Sequence, residues 1–123
     1  MPKFPEFNSY ACVGDSISWE SGGFTLTATL HADNDCSPLD LECYSPIKIK
    51  QWCNDEWFYV GVVISVSKNG VAILDNAASL WGVECNFNSK ANRYLSTVAK
   101  ELESEAVELA MAQVEHILKA LAC

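Results

Sequence analysis

This chain has no apolar run that could cross a bilayer, which takes ~20 residues; one of the longer runs, Phe58 to Ile64, is interrupted by Gly61. It is also poor in positive charge, with eight Lys and Arg against sixteen Asp and Glu and a net charge of −8. The bases stand singly. Direct binding to nucleic acid or to an anionic membrane needs clustered Lys and Arg, so neither is expected. No low-complexity tract, internal repeat or linker divides the chain. No Gly-x-Ser-x-Gly elbow offers a nucleophile. No two of the six cysteines, Cys12, Cys36, Cys43, Cys53, Cys85 and Cys123, form a C-x-x-C pair. There are two histidines, His31 and His116, which leaves little for acid–base or metal chemistry.

What remains is ample for one domain. At 123 residues, half of them hydrophobic and 11% aromatic, the chain can bury a core without disulfides or metals. The opening Met1-Pro2-Lys3-Phe4-Pro5-Glu6 has no apolar stretch of the kind a secretory signal carries, so a cytoplasmic setting is expected. The cysteines should then be thiols, mostly acting as small hydrophobes.

The hydrophobic pattern predicts an α+β domain. After an irregular lead-in over residues 1–15, Ile17 and Trp19 open an alternation that pauses at Ser21-Gly22-Gly23. It resumes with Phe24, Leu26, Ala28 and Leu30 on one face and Thr25, Thr27, Thr29 and His31 on the other, wet one. Alternation around Gly-Gly reads as a hairpin. An acidic loop follows over residues 33–45. Ser45-Pro46 then reads as a helix cap and first helical position, opening a short helix to about Asn54 with Ile49, Trp52 and Cys53 on its inner side. Phe58, Val60, Val62, Ile64 and Val66 share a strand face, Asn69-Gly70 is a tight turn, and Val71 to Leu74 is the return strand. Asp75-Asn76 reads as a further turn and Ser79 to Asn86 as a fifth strand. A long helix from Ser89 or Lys90 to Leu121 closes the chain. Its stripe comprises Leu95, Val98, Leu102, Ala106, Leu109 and Ile117. The expected order is ββαβββα: a five-stranded, mostly antiparallel sheet with the long helix packed on one face.

Two surfaces of that helix stand out. Glu101, Glu105, Glu108 and Glu115 make an acidic face suited to a basic protein partner. Val107, Met111, Val114 and Leu118 widen the apolar arc beyond what one sheet face requires. Left open they would form a large apolar patch, so they are expected to pair two copies as a homodimer. On the sheet face away from the helix, Trp57, Tyr59 and Trp81 either lie in a core covered by the short helix or line an open aromatic groove able to hold a small molecule, and the groove is the third candidate.

The chemical candidates are weaker. Ser45-Pro46-Ile47-Lys48 and Ser65-Val66-Ser67-Lys68 match Ser-x-x-Lys, but Ser45 is better read as a cap and Ser65 as a strand residue. His31 could meet Cys36, yet the acidic surroundings would raise the thiol pKa and leave it inactive. His31, Asp33, Asp35, Cys36, Asp40, Glu42 and Cys43 are ligand types in a short span. Pro38 stands where a calcium loop needs glycine, and Tyr44 where it needs glutamate, so turns of a solvated loop are expected instead of a metal site. Gly22-Gly23 leads into a strand and offers no helix N-terminus to a phosphate. No catalytic residue and no cofactor are therefore expected.

Finally, Gln51-Trp52-Cys53-Asn54-Asp55-Glu56-Trp57-Phe58-Tyr59-Val60-Gly61-Val62-Val63-Ile64-Ser65-Val66, with Ser79-Leu80-Trp81-Gly82-Val83-Glu84 and the earlier Gly14-Asp15-Ser16-Ile17-Ser18-Trp19-Glu20, resembles the small uncharacterised acidic proteins encoded on phages, plasmids and integron cassettes. The resemblance implies a setting, an accessory gene on a mobile element, and no residue roles. The expectation is a non-enzymatic protein that binds another protein, such as a host defence protein, with an acidic surface imitating nucleic acid. The alternative is a small-molecule module using the aromatic groove.

Overall fold

The computed structural model of the chain describes residues 4–87 and 92–122. Four strands, β1 (Ser16–Ser21), β2 (Phe24–Ala32), β3 (Phe58–Lys68) and β4 (Val71–Cys85), form one antiparallel sheet in the order β1-β2-β3-β4. Helix α1 (Pro46–Cys53) sits between β2 and β3, and helix α2 (Asn92–Leu121) follows β4. The expected start of the long helix at Ser89 or Lys90, and Cys123, lie outside the described residues.

The turns follow from backbone chemistry. Gly22 and Gly23 have φ of 60° and 84°, and Asn69 and Gly70 have 52° and 80°, the left-handed pairs that a two-residue hairpin turn demands. Asp75 and Asn76 do not adopt such angles, and no separate fifth strand follows them among the described residues. The backbone stays extended there, and the two expected strands are one 15-residue strand, β4, so the order is ββαββα with four strands. The surplus residues are absorbed as irregularities of register against β3, between Val60 and Val62, Ile64 and Val66, and Val66 and Ser67. Bulges concentrate at sheet edges, and β4 is an edge strand.

Register places the core. Leu26, Ala28 and Leu30 of β2 pair with Val66, Ile64 and Val62 of β3, and Ile64 pairs with Ala78 of β4. These buried side chains meet Leu95, Val98, Ala99, Ala106 and Ala110 of α2. Leu109, expected in the buried stripe, is exposed. At 3.6 residues per turn the sheet-facing line drifts, and the small Ala106 and Ala110 take its place. The lead-in is part of the core: Phe7 and Ala11 are buried, and the Phe7 amide donates to Ser96 Oγ at 3.0 Å. Ser45 caps α1 by accepting from the Lys48 amide at 3.3 Å. Ile49 and Trp52 are half-buried on that helix, whereas Cys53 is exposed.

Candidate functional site

The sheet face away from α2 has two parts. Over most of it small side chains, mostly hydroxyls, stand in cross-strand rows: Ser18, Thr27 and Ser65 in one, Thr29, Val63 and Ser79 in the next. Ser18 and Thr27 hydrogen-bond through their hydroxyls at 2.8 Å, and Thr25, Thr27 and Thr29 are half-exposed. At the other end Tyr44 and Phe87, with α1 beside them, close over the sheet. There Trp57 and Tyr59 are buried, with Trp57 1% exposed and its indole N–H donating to the Lys48 carbonyl at 2.8 Å. Tyr44, Tyr59 and Phe87 ring it at centroid distances of 5.4, 5.2 and 4.9 Å. Of the three expected groove residues, then, Trp57 and Tyr59 line a small second core and Trp81 alone is exposed.

Trp81 is held in place by several features. The six-membered half of its indole occupies the space above Gly61, where an added Cβ would lie 2.2 Å from Cε3. Gly82 follows at φ 71°, and its amide donates to Asp33 Oδ2 at 2.7 Å. The indole N–H reaches Ser79 Oγ at 3.3 Å, and the His31 ring lies 6.3 Å away. Open clefts of about 560 and 470 Å³ flank the ring. The first includes Asp33, Asn34, Asp35 and Cys36, and the second Tyr44, Leu80, Glu84 and Tyr94.

Two side chains of the acidic loop, Asp33 and Ser37, bond its own backbone. Asp33 Oδ1 accepts from the Asp35 amide at 3.2 Å, and Ser37 caps a short 3-10 turn over Pro38–Asp40. Among the described residues no three His, Cys, Asp or Glu side chains converge to hold a metal ion. Burial, then Asp33, pushes the Cys36 thiol up, away from the thiolate that nucleophilic chemistry needs. The Tyr44 hydroxyl donates to Glu84, and burial followed by that bond raises its pKa. Burial also raises Tyr59 and pushes the Cys85 thiol up to about 12.

These shifts predict alkaline instability. Cys85 keeps its proton in the folded state at a pH where the unfolded chain loses it, so stability falls as pH rises from about 9 towards 12. The slope from this thiol approaches about 1.4 kcal/mol per pH unit. Tyr44 and Tyr59 act in the same direction once the unfolded chain's phenols begin to ionise. Urea midpoints measured at intervals across that range should decline steadily. A flat series would contradict the buried thiol.

On α2, Glu101, Glu105, Glu108 and Glu115 are all exposed, Glu115 pairing with Lys119 at 3.1 Å. Glu103, which the sequence pattern passes over, is half-buried and accepts from the Trp19 indole N–H at 2.6 Å. The expected apolar set divides. Val107 and Val114 pack against the core, Val107 directly beneath Gly22. Met111 and Leu118 are 58% and 63% exposed, with Leu121 beyond them at 76%.

No family model, curated protein or solved structure matches the chain. No helix among the described residues is long and apolar enough to cross a membrane.

Proposed function

We propose that the chain is a non-enzymatic binding protein that acts by occupying a protein partner, with the outer surface of α2 as the principal contact. The observation that carries this reading is the exposure of Met111, Leu118 and Leu121 on turns beyond Ala110, the last residue of α2 that the fold buries. Apolar side chains on a helix end with nothing packed on them need a cover. A second copy supplies one. Met111 and Leu118 then meet across a twofold axis, and Val107 and Val114 link that contact to each protomer's core.

The acidic ladder supports the second half of the proposal. Glu101 to Glu115 spans about 21 Å at 1.5 Å per residue. Paired helices would present two such ladders, a rigid array of negative charge able to compete with nucleic acid for a basic cleft. A cytoplasmic accessory protein from a mobile element, aimed at a host defence or regulatory protein, fits this surface.

Light scattering on the purified protein should give twice the chain mass at micromolar concentration. Replacing Met111 and Leu118 together by glutamate should give a folded monomer. A monomeric wild-type protein would overturn the pairing. Host-lysate proteins retained by the wild type should be lost when the four ladder glutamates become lysine, and equal retention by both would overturn the acidic contact.

A further inference from the structure

We propose that Trp81 is a docking platform for an arginine side chain of the protein partner. This rests on the protein-binding reading but uses a different surface, the open sheet face instead of α2. Three contacts hold the indole outward: Gly61 gives it a seat no other residue would leave, the Gly82 bulge turns it, and Ser79 accepts its N–H. An indole that served only to cover apolar surface would not be 48% exposed with a cleft on either side. Holding a large ring in water by its backbone neighbours makes sense when its outer face is to be stacked upon.

The charge around the ring selects the ligand. The chain carries no lysine or arginine between Lys3 and Lys48, nor between Lys68 and Lys90, and these two stretches supply nearly everything beside Trp81. Asp33 and Asp35 stand on one side of the indole and Glu84 on the other. Asp33 is fixed by two backbone amides, one on each carboxylate oxygen. A phosphate or carboxylate ligand would be repelled here. A cation is attracted both by the carboxylates and by the indole face, the strongest of the aromatic rings in this role. Guanidinium is the cation whose shape fits, because it is planar, stacks on an aromatic face, and still directs N–H donors sideways to carboxylates. Asp35 and Glu84 are placed at the rims to receive them.

The test uses the whole, isotopically labelled protein and a hexa-arginine peptide at low salt, read at the indole N–H signals. The Trp81 signal, identified by its absence in Trp81→Leu, should shift on titration. The three remaining indole signals report that the variant is folded. Leucine keeps apolar area but loses the ring, so affinity should fall by about fivefold. Shifts confined to α2 amides would overturn the platform while leaving the α2 reading intact. Binding unchanged in Trp81→Leu would also overturn it, as would maltohexaose shifting the indole where hexa-arginine does not. Free arginine amide matching the peptide's affinity would overturn the polypeptide source.

Discussion

Trp57→Ala is expected to destabilise the protein by about 3–5 kcal/mol, the usual range for deleting a fully buried large aromatic. The indole fills the space between α1 and the sheet, against Tyr44, Tyr59 and Phe87. Its N–H donates to the Lys48 carbonyl and so ties the first turn of α1 to the residue just before β3. Alanine empties the site and removes the indole bond to that carbonyl. Trp57→Phe separates the two effects: most of the volume stays and the donor goes, so the cost should drop to about 1–2 kcal/mol. Because this cluster is apart from the main core under α2, the damage should be local at first. Hydrogen exchange should rise through residues 46–57 before it rises in β2. Equal protection of both segments in Trp57→Ala, or a loss under 1 kcal/mol by urea unfolding, would show that α1 is held by something else.

How much of this was legible depended on whether a feature is local. The Gly22-Gly23 and Asn69-Gly70 turns, the Ser45 cap and the β2 and β3 faces are written in adjacent residues, and each is found where the pattern places it. The α+β class and the long C-terminal helix follow from those periods. The fifth strand was misread because Asp75-Asn76 has turn-forming side chains. Whether such a pair reverses or bulges is decided by the pairing of β4 with β3, which lies outside the pair. The aromatic face shows the same limit. Alternation groups Trp81 with Val83 and Cys85, yet those two are buried in the main core and Trp81 lies exposed over Gly61 on the other face, because the irregularity of register between Val60 and Val62, with Gly82 at φ 71°, changes the parity of β4 there. Gly61 was the available signal: a glycine inside an otherwise unbroken β-branched strand marks close approach by another group.

The buried polar groups were the least legible, and the largest of them is Asn92. Replacing it with leucine should cost about 3 kcal/mol or more, although the residue touches no candidate site. Asn92 is 2% exposed in the first described turn of α2. Its Nδ2 donates to the carbonyls of Asn8 and Ser9 at 3.1 and 2.9 Å and to Asn86 Oδ1 at 2.8 Å, and its Oδ1 accepts from the Asn86 amide at 3.0 Å. Asn86, at φ 62°, in turn bonds the Ala11 backbone in both directions, at 2.9 and 2.8 Å. One side chain thus joins the lead-in, the end of β4 and the start of α2. Leucine has nearly the same size but satisfies none of these groups, each of which costs about 1–3 kcal/mol when buried and unpaired. The full sum will not appear, because the lead-in can detach and let water in. That relief has its own cost, since it exposes Phe7 and Ala11. Asn92→Asp is the sharper variant: it keeps the acceptor for the Asn86 amide but turns a carboxylate oxygen towards two carbonyls. It should be at least as damaging as leucine at neutral pH, and partly recover in acid, where protonation restores one donor. Urea unfolding of the two variants at neutral and acid pH, with proteolysis reporting release of residues 4–12, checks the argument. If Asn92→Leu stays within 1 kcal/mol of the wild type, the lead-in is anchored by Phe7 and Ala11 alone and the amide network is incidental.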